Sequence, residues 1–368
     1  MKLVGYIEAV ASKTTLSRMS DLSLYLDHAA TTPLLAEARD ALVHGFSIWA
    51  NPSSPHAPGR AARAALEDAR ARICGMLGWE GELLFTSGAS EALSIALTRC
   101  RLPPAAVSAV EHEAVLRHAE GIGRLAVDTA GLVDPASAAG AGLVAVQQVN
   151  NETGVIQPLS EIASAVREAG GLLLADCAQG AGKIALPDAD MVAIAAHKFG
   201  GPIGTGALLV RDWAMLAPSG GQERGYRPGT ENMPGALAMA AALEAGADWL
   251  VEAGRLRSLL EEEIVAAGGE VIAGGSERIP TIGAYRMPGV SSASQLIRFD
   301  ATGIAVSAGS ACSSGSLKVS HVLGAMGMGE KAASEVIRVS IGRETREADI
   351  RRFLEAWLNM AGKARSAV

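Results

Sequence analysis

Short, continuous apolar runs recur through the first two thirds of this chain, at residues 82–85, 106–110, 143–149, 171–175, 191–195 and 207–210. A run with no polar alternation predicts a strand buried on both faces. Helical periodicity fills the intervals, most clearly over residues 60–77 and 160–169. Strand and helix in alternation predict an α/β fold, with a large, mostly parallel sheet covered by helices on both faces. An Ala- and Leu-rich stretch over residues 235–267 then changes the register. It reads as a connecting helical region with a break near Gly254. The later runs are shorter, at 281–285, 305–307 and 336–341. A final amphipathic helix is expected from Thr345, as N-cap, with Glu347 and Asp349 in its first turn. The pattern predicts a large sheet domain over residues 33–245. A smaller α+β domain would be formed by residues 1–32 and 246–368.

Two of the apolar runs end in chemistry. Leu172-Leu173-Leu174-Ala175 delivers Asp176, and Met191-Val192-Ala193-Ile194 leads to His197-Lys198. In open α/β sheets the C-terminal strand edge is where ligands bind. A lysine there with a partner aspartate suits pyridoxal phosphate. The lysine forms a Schiff base, and the carboxylate keeps the pyridinium nitrogen protonated so that the ring acts as an electron sink. The plainer alternative for Asp176 is one half of a structural salt bridge.

Other segments point the same way, several with a plainer alternative. Thr86-Ser87-Gly88-Ala89-Ser90-Glu91 follows a strand and opens a helix, where free backbone N–H groups and the hydroxyl of Ser90 suit a phosphate. It is also an ordinary capped turn. His112, after the strand ending at Val110, can stack on an aromatic cofactor and exchange a proton, or simply sit hydrogen-bonded at the surface. The amides of 147–151 can hold a phenolic oxygen or a carboxylate, or make a turn. Gln179 is within reach of the same ring. The loop at 220–230, rich in Gly and Arg, suits an anion, with Thr230 as a donor. Arg343, between a strand and a helix, can grip a carboxylate through two parallel hydrogen bonds. Cys312 lies in Ser307-Ala308-Gly309-Ser310-Ala311-Cys312-Ser313-Ser314-Gly315-Ser316, a segment with nothing to anchor a core. Such a loop is expected to be exposed and mobile, and its thiol to be used as a nucleophile, although a linker with an incidental cysteine has the same composition.

Composition narrows the class. Hydrophobic residues make up 49% of the 368 and charged ones 19%, so the chain is globular. A net charge of −7 and only 4% aromatic residues argue against nucleic-acid or anionic-membrane partners. No apolar run approaches a membrane span, and the start lacks a signal-peptide core, so a cytoplasmic location is expected. The 4 cysteines form no CxxC pair, and neither a disulfide framework nor a metal site is expected.

Together the motifs resemble the cysteine desulfurases, pyridoxal-phosphate enzymes of the class V aminotransferase group. The resemblance runs from Tyr25-Leu26-Asp27-His28-Ala29-Ala30-Thr31-Thr32 to the helix after Arg343. It takes in Asn51-Pro52-Ser53-Ser54, Glu111-His112, Val149-Asn150-Asn151-Glu152 and Arg227-Pro228-Gly229-Thr230, and Ser310-Ala311-Cys312-Ser313-Ser314 matches the branch with a long cysteine loop. It implies a fold-type I pyridoxal-phosphate-dependent transferase that takes sulfur from L-cysteine and passes it, as a persulfide, to an acceptor or scaffold protein for iron–sulfur clusters or thio-cofactors. By the same resemblance Lys198 carries the cofactor and moves the substrate's Cα proton, while His112 stacks on the ring and assists. Asp176 pairs with the ring nitrogen and Gln179 with the phenolic oxygen. Ala89, Ser90 and His197 hold the phosphate, joined by Thr230 from the other subunit of a homodimer. Asn150 and Arg343 fix the substrate carboxylate, Asn150 also touching the cofactor, and Cys312 attacks the substrate sulfur. An aminotransferase or a selenocysteine lyase of the same fold is the alternative. Ala195 departs from the family's usual serine, and Ile203 from a frequent lysine.

Overall fold

The computed structural model describes residues 23–309 and 320–366. In chain order its main elements are β1 (Leu24–Tyr25), α1 (Ala36–Ser47), α2 (Ala57–Leu77), β2 (Glu82–Thr86), α3 (Ala89–Arg99), β3 (Pro104–Ser108), β4 (Gly123–Leu125), β5 (Leu143–Gln147), α4 (Leu159–Glu168), β6 (Leu172–Asp176), β7 (Met191–Ala195) and β8 (Gly206–Val210). There follow α5 (Met233–Glu244), α6 (Leu250–Ala266), β9 (Glu270–Val271), β10 (Ile282–Arg286), α7 (Ser292–Ala301), β11 (Ile304–Ala305), β12 (Val336–Ser340) and α8 (Glu347–Ser366).

Seven strands form one sheet in the order β2-β8-β7-β6-β5-β3-β4. β8 runs antiparallel to both its neighbours, and the other neighbouring pairs are parallel. Successive side chains of a strand point to opposite faces. Val144, Val146, Leu173, Ala175, Val192 and Ile194 therefore enter one core with α2, α4 and α5. Their neighbours Leu143, Ala145, Leu174, Met191 and Ala193 enter a second core with α3. Both faces are thus dry, which is why these strands read as unbroken apolar runs. Gly206 is needed where β8 begins: a Cβ there would lie 2.5 Å from the Ile194 carbonyl oxygen and 2.6 Å from Gly88 Cα. Its absence lets the start of α3 approach the sheet edge.

A third core gathers α6, β10, β12, α7 and α8, with Phe299, Phe353 and Trp357 at its centre. β12, β10 and β9 form its antiparallel sheet. The start of the described chain joins it too, since β1 pairs with β11 and Leu26 is fully buried there.

Three expectations need correction. Residues 235–267 are two helices, and the break falls between Glu244 and Leu250 rather than at Gly254, which lies inside α6. Gly246 takes the left-handed backbone (φ 74°) that ends a helix. Thr345 is not the N-cap of α8. Its hydroxyl accepts the Gly342 N–H at 3.0 Å, and the Asp349 carboxylate takes the Arg346 N–H at 2.8 Å. Finally, β3 and β5 stop at Ser108 and Gln147, short of Val110 and Val149, because the chain turns there, with Ser108 Oγ accepting the Val110 N–H.

Candidate active site

The carboxyl ends of β3, β5, β6 and β7 converge on a cavity of about 420 Å³. Lys198 reaches it from the helical turn after β7. Its ammonium donates to the carbonyls of Ala29 (2.6 Å) and Ala30 (3.0 Å), so the segment after β1 forms the wall around it. Asp176 is the last residue of β6 and only 7% exposed. One carboxylate oxygen accepts the Ala178 N–H at 2.9 Å. Burial raises its pKa above the ordinary value, against the pull of that N–H and of the charges of His112 and Lys198.

His112 also lines the cavity. Its Nδ1 accepts the Ala114 N–H at 3.1 Å, which leaves the proton of the neutral ring on Nε2. Burial lowers its pKa, with Asp176 opposing. Gln179 donates to the Ala29 carbonyl at 2.9 Å, while its own Oε1 is buried without a hydrogen-bond partner. His197 sits beside Lys198, its Nδ1 3.1 Å from Thr31 Oγ1. Burial, with the charges of Lys198 and Lys183, brings its pKa down to about 4, so it is neutral at pH 7.

Ala89 and Ser90 open α3 at the cavity rim. The N-cap is Gly88, which offers no side chain, so the first-turn N–H groups face the cavity side of a positive helix end. Glu91 holds this rim in shape: its carboxylate accepts the Ser87 N–H at 2.5 Å and Arg227 Nε at 2.8 Å. The loop around Arg227 is thereby fastened to α3. Thr230 lies on that loop, exposed, and does not line the cavity of its own chain. Ala195 does line it, with no hydroxyl to offer. Cys312 lies outside the described residues.

Two expected residues are elsewhere. The Asn150 side chain is consumed by its own turn. Its Oδ1 accepts the N–H groups of Glu152 and Thr153, both at 2.9 Å, and Nδ2 donates to the Val110 carbonyl at 3.2 Å. The next residue, Asn151, lines the cavity instead. Arg343 donates to the carbonyls of Ala245 (3.2 Å) and Gly246 (2.5 Å) and lies over the Trp249 ring. It binds the end of α5 rather than the cavity. The arginine in the cavity wall is Arg338, on β12. It donates to Asp27 Oδ1 at 2.7 Å and to the Asn151 carbonyl at 2.9 Å, and its Nε is buried without a hydrogen-bond partner. The sequence did carry a signal for it, a lone charge between Val336-Ile337 and Val339 of a buried strand.

Both signs of charge line the cavity. Lys198, Arg338 and the α3 N-terminus surround the cavity, with Asp176 facing them and Glu91 at the rim, paired with Arg227. Such a site suits a ligand carrying two separate anionic groups. Among the described residues no cluster of His, Cys, Asp and Glu has the makings of a metal site.

The chain is similar to known proteins. The family model for aminotransferase class-V matches residues 24–353. A cysteine desulfurase of Klebsiella pneumoniae is 38% identical over 359 residues, covering 89% of this chain and 90% of the relative. The crystal structure of a NifS-like protein from Rickettsia africae superposes with a TM-score of 0.83 at 29% identity, over 91% of this chain and 98% of the other. DndA from Streptomyces lividans gives a TM-score of 0.70 at 33% identity, over 86% and 99%.

Proposed function

The chain belongs to the cysteine desulfurases of the class-V aminotransferase family, and from that premise we propose that its cavity holds pyridoxal 5′-phosphate and that Cys312 receives the sulfur. The enzyme removes sulfur from L-cysteine, and L-alanine is the other product. The observation that carries this reading is the meeting of Lys198, Asp176 and His112, from three different strand ends, around one cavity.

The residues present fit the cofactor. A buried carboxylate needs a partner, and Asp176 has a single backbone N–H on one oxygen. The orphaned Gln179 Oε1 and the uncapped start of α3 are likewise polar groups awaiting a ligand. Lys198 would hold the cofactor covalently, with Asp176 at the ring nitrogen, His112 over the ring, and Gln179 at the phenolic oxygen. Ala89, Ser90 and His197 would take the phosphate, with Thr230 supplied across a homodimer interface. When bound, the cofactor supplies an electron sink for the substrate's Cα.

The protein's own groups do the rest. Arg338, with Asn151 beside it, takes the substrate carboxylate. Lys198 Nζ moves the Cα proton, and His112 Nε2 lies on the same cavity for proton exchange. The Cys312 thiolate attacks the substrate sulfur. A Cys312 S–S bond forms as the substrate C–S bond breaks, and the carbon keeps the electron pair and is protonated to give alanine. The bound sulfur then passes to an acceptor or scaffold protein. Val43 (64% exposed) and Phe46 (65%) on α1 support a partner subunit, since such apolar side chains on a free surface mark an interaction face. A cytoplasmic setting would keep the thiols reduced. Cys74, Cys100 and Cys177 are unpaired, and among the described residues no helix is long and apolar enough to cross a membrane.

Cysteine given to the wild-type protein without reductant should add one sulfur atom per active subunit, on the peptide containing Cys312. Cys312→Ser should still shift the cofactor's absorbance with cysteine, yet carry no persulfide and release no sulfide. Alanine and sulfide at the wild-type rate from Cys312→Ser would remove the covalent role of Cys312 and favour a lyase.

A further inference from the structure

Lys183 is half-buried on the small cavity next to the main one, and nothing in the reaction above uses it. Its ammonium donates to the backbone carbonyl of Gln179 at 3.1 Å. Gln179 in turn donates to the Ala29 carbonyl at 2.9 Å, and Lys198 donates to that same carbonyl at 2.6 Å. Gln179 thus links the two lysines: its backbone carbonyl accepts from Lys183, and its side chain shares the Ala29 carbonyl with Lys198. The two lysines also share the wall of a small second cavity, of about 20 Å³, behind the main one.

The charged and titratable groups around them are mostly cations or histidines. Arg343 lies on the same small cavity, and His28 and His197 both feel the charge of Lys183. Asp176 and His112 face Lys198 from the main cavity. Among the described residues no carboxylate bears on Lys183 itself. Burial first, then the charge of Lys198, brings its pKa down to about 7. Two ammonium groups so linked repel each other, and each one's charge disfavours the other's.

We propose that Lys183 is a positioning residue that acts as the proton partner of Lys198, the two sharing one positive charge near neutral pH so that Lys198 is available as the free amine. This rests on the reading of Lys198 as the cofactor-bearing lysine. A free amine is what attacks a cofactor aldehyde, and it is also what accepts a proton. Without Lys183 the shared proton has one home, and Lys198 becomes an ordinary ammonium.

The test measures how fast Lys198 in the full-length chain, freed of cofactor, is methylated by formaldehyde and cyanoborohydride across pH, scored by mass on its peptide. Lys183→Met should slow labelling of Lys198 at neutral pH about tenfold, as for a pKa raised by one unit. Lys183→Arg, a cation that cannot give up its proton, should keep labelling at or above the wild-type rate. Recombination with pyridoxal phosphate, followed by absorbance, should move in the same two directions. An unchanged profile in Lys183→Met, or equal slowing in both variants, would overturn the proposal. Borohydride reduction of the loaded wild-type protein keeps the two readings apart. Cofactor fixed to another lysine defeats the assignment of Lys198, whereas cofactor on Lys198 with no effect of Lys183→Met defeats only this inference.

Discussion

Arg338 and Arg343 lie five positions apart on one motif, yet they face different partners. Arg338 leaves β12 toward the cavity, where Asp27 and the Asn151 carbonyl hold its planar fork. Arg343 follows the strand and spends its donors on the last carbonyls of the α5 end. Their substitution should therefore separate binding from stability. Arg338→Lys loses the paired geometry of a guanidinium on a carboxylate and should raise KM for cysteine about tenfold, as steady-state alanine release would record. Arg343→Lys should leave KM near wild type and lower the thermal midpoint, since it loosens the junction between α5 and α6. A KM that follows Arg343 instead would return the carboxylate to that residue. The asparagine pair teaches the same lesson. Asn150 and Asn151 are indistinguishable by type, and only the turn geometry, which draws the Asn150 oxygen onto two backbone N–H groups, decides that Asn151 faces the cavity.

Elements carry the site through their ends. β6 and β7 are buried on every side, and each delivers its polar residue where the apolar run stops. α3 supplies the opposite charge character, the positive end of a helix, pressed close to the sheet. That closeness depends on Gly206 and Gly88, whose backbones touch where β8 begins. Gly206→Ala would put a methyl group 2.6 Å from Gly88 Cα, and backbone cannot yield as a flexible side chain does. The start of α3 should be pushed outward, costing about 1–3 kcal/mol of stability and weakening cofactor binding together. Chemical denaturation and cofactor titration of the same variant check both. Full stability with weakened binding would mean that the clash is relieved locally. Of the elements, buried strands were the most legible from sequence because burial on two faces leaves a local mark. The α5–α6 break was less so. Both helices are rich in Ala and Leu, and the turn between them depends on the left-handed Gly246 and on Arg343, which arrives from far along the chain.

At the scale of the molecule, the join between the first strand, the β12 region and the cavity imposes a pH limit. His28 lies in that join. Its ring packs edge-on to Tyr25 at 4.9 Å, and a Cβ on Gly342 would fall 2.0 Å from it. Its Nδ1 is buried with no partner. Burial, then the charge of Lys183, lowers its pKa from 6.5 to about 4. The folded state thus prefers neutral His28, and the unfolded chain protonates first on acidification. The stability it contributes is complete above pH 6.5 and drains away as the pH falls toward 4, by at most about 3 kcal/mol. His28→Gln should flatten the fall in thermal midpoint between those two pH values relative to wild type. Parallel curves for the two proteins would show that His28 is not the group being charged.

The sequence by itself determined the class of fold and the order of its chemistry. Apolar runs closed by Asp176 and by His197-Lys198 read as buried strands with reactive ends, because both burial and strand termination are local properties. A helix start after Phe85 was legible for the same reason. Only the tertiary structure decided which of two neighbouring amides or arginines enters the cavity. It alone set Lys183 against Lys198 through a carbonyl of the distant Ala29 segment. Those outcomes depend on where unrelated stretches of chain meet. A side chain's partner and its proton affinity are fixed by three-dimensional neighbours and lost water, and neither is written in the residues on either side of it.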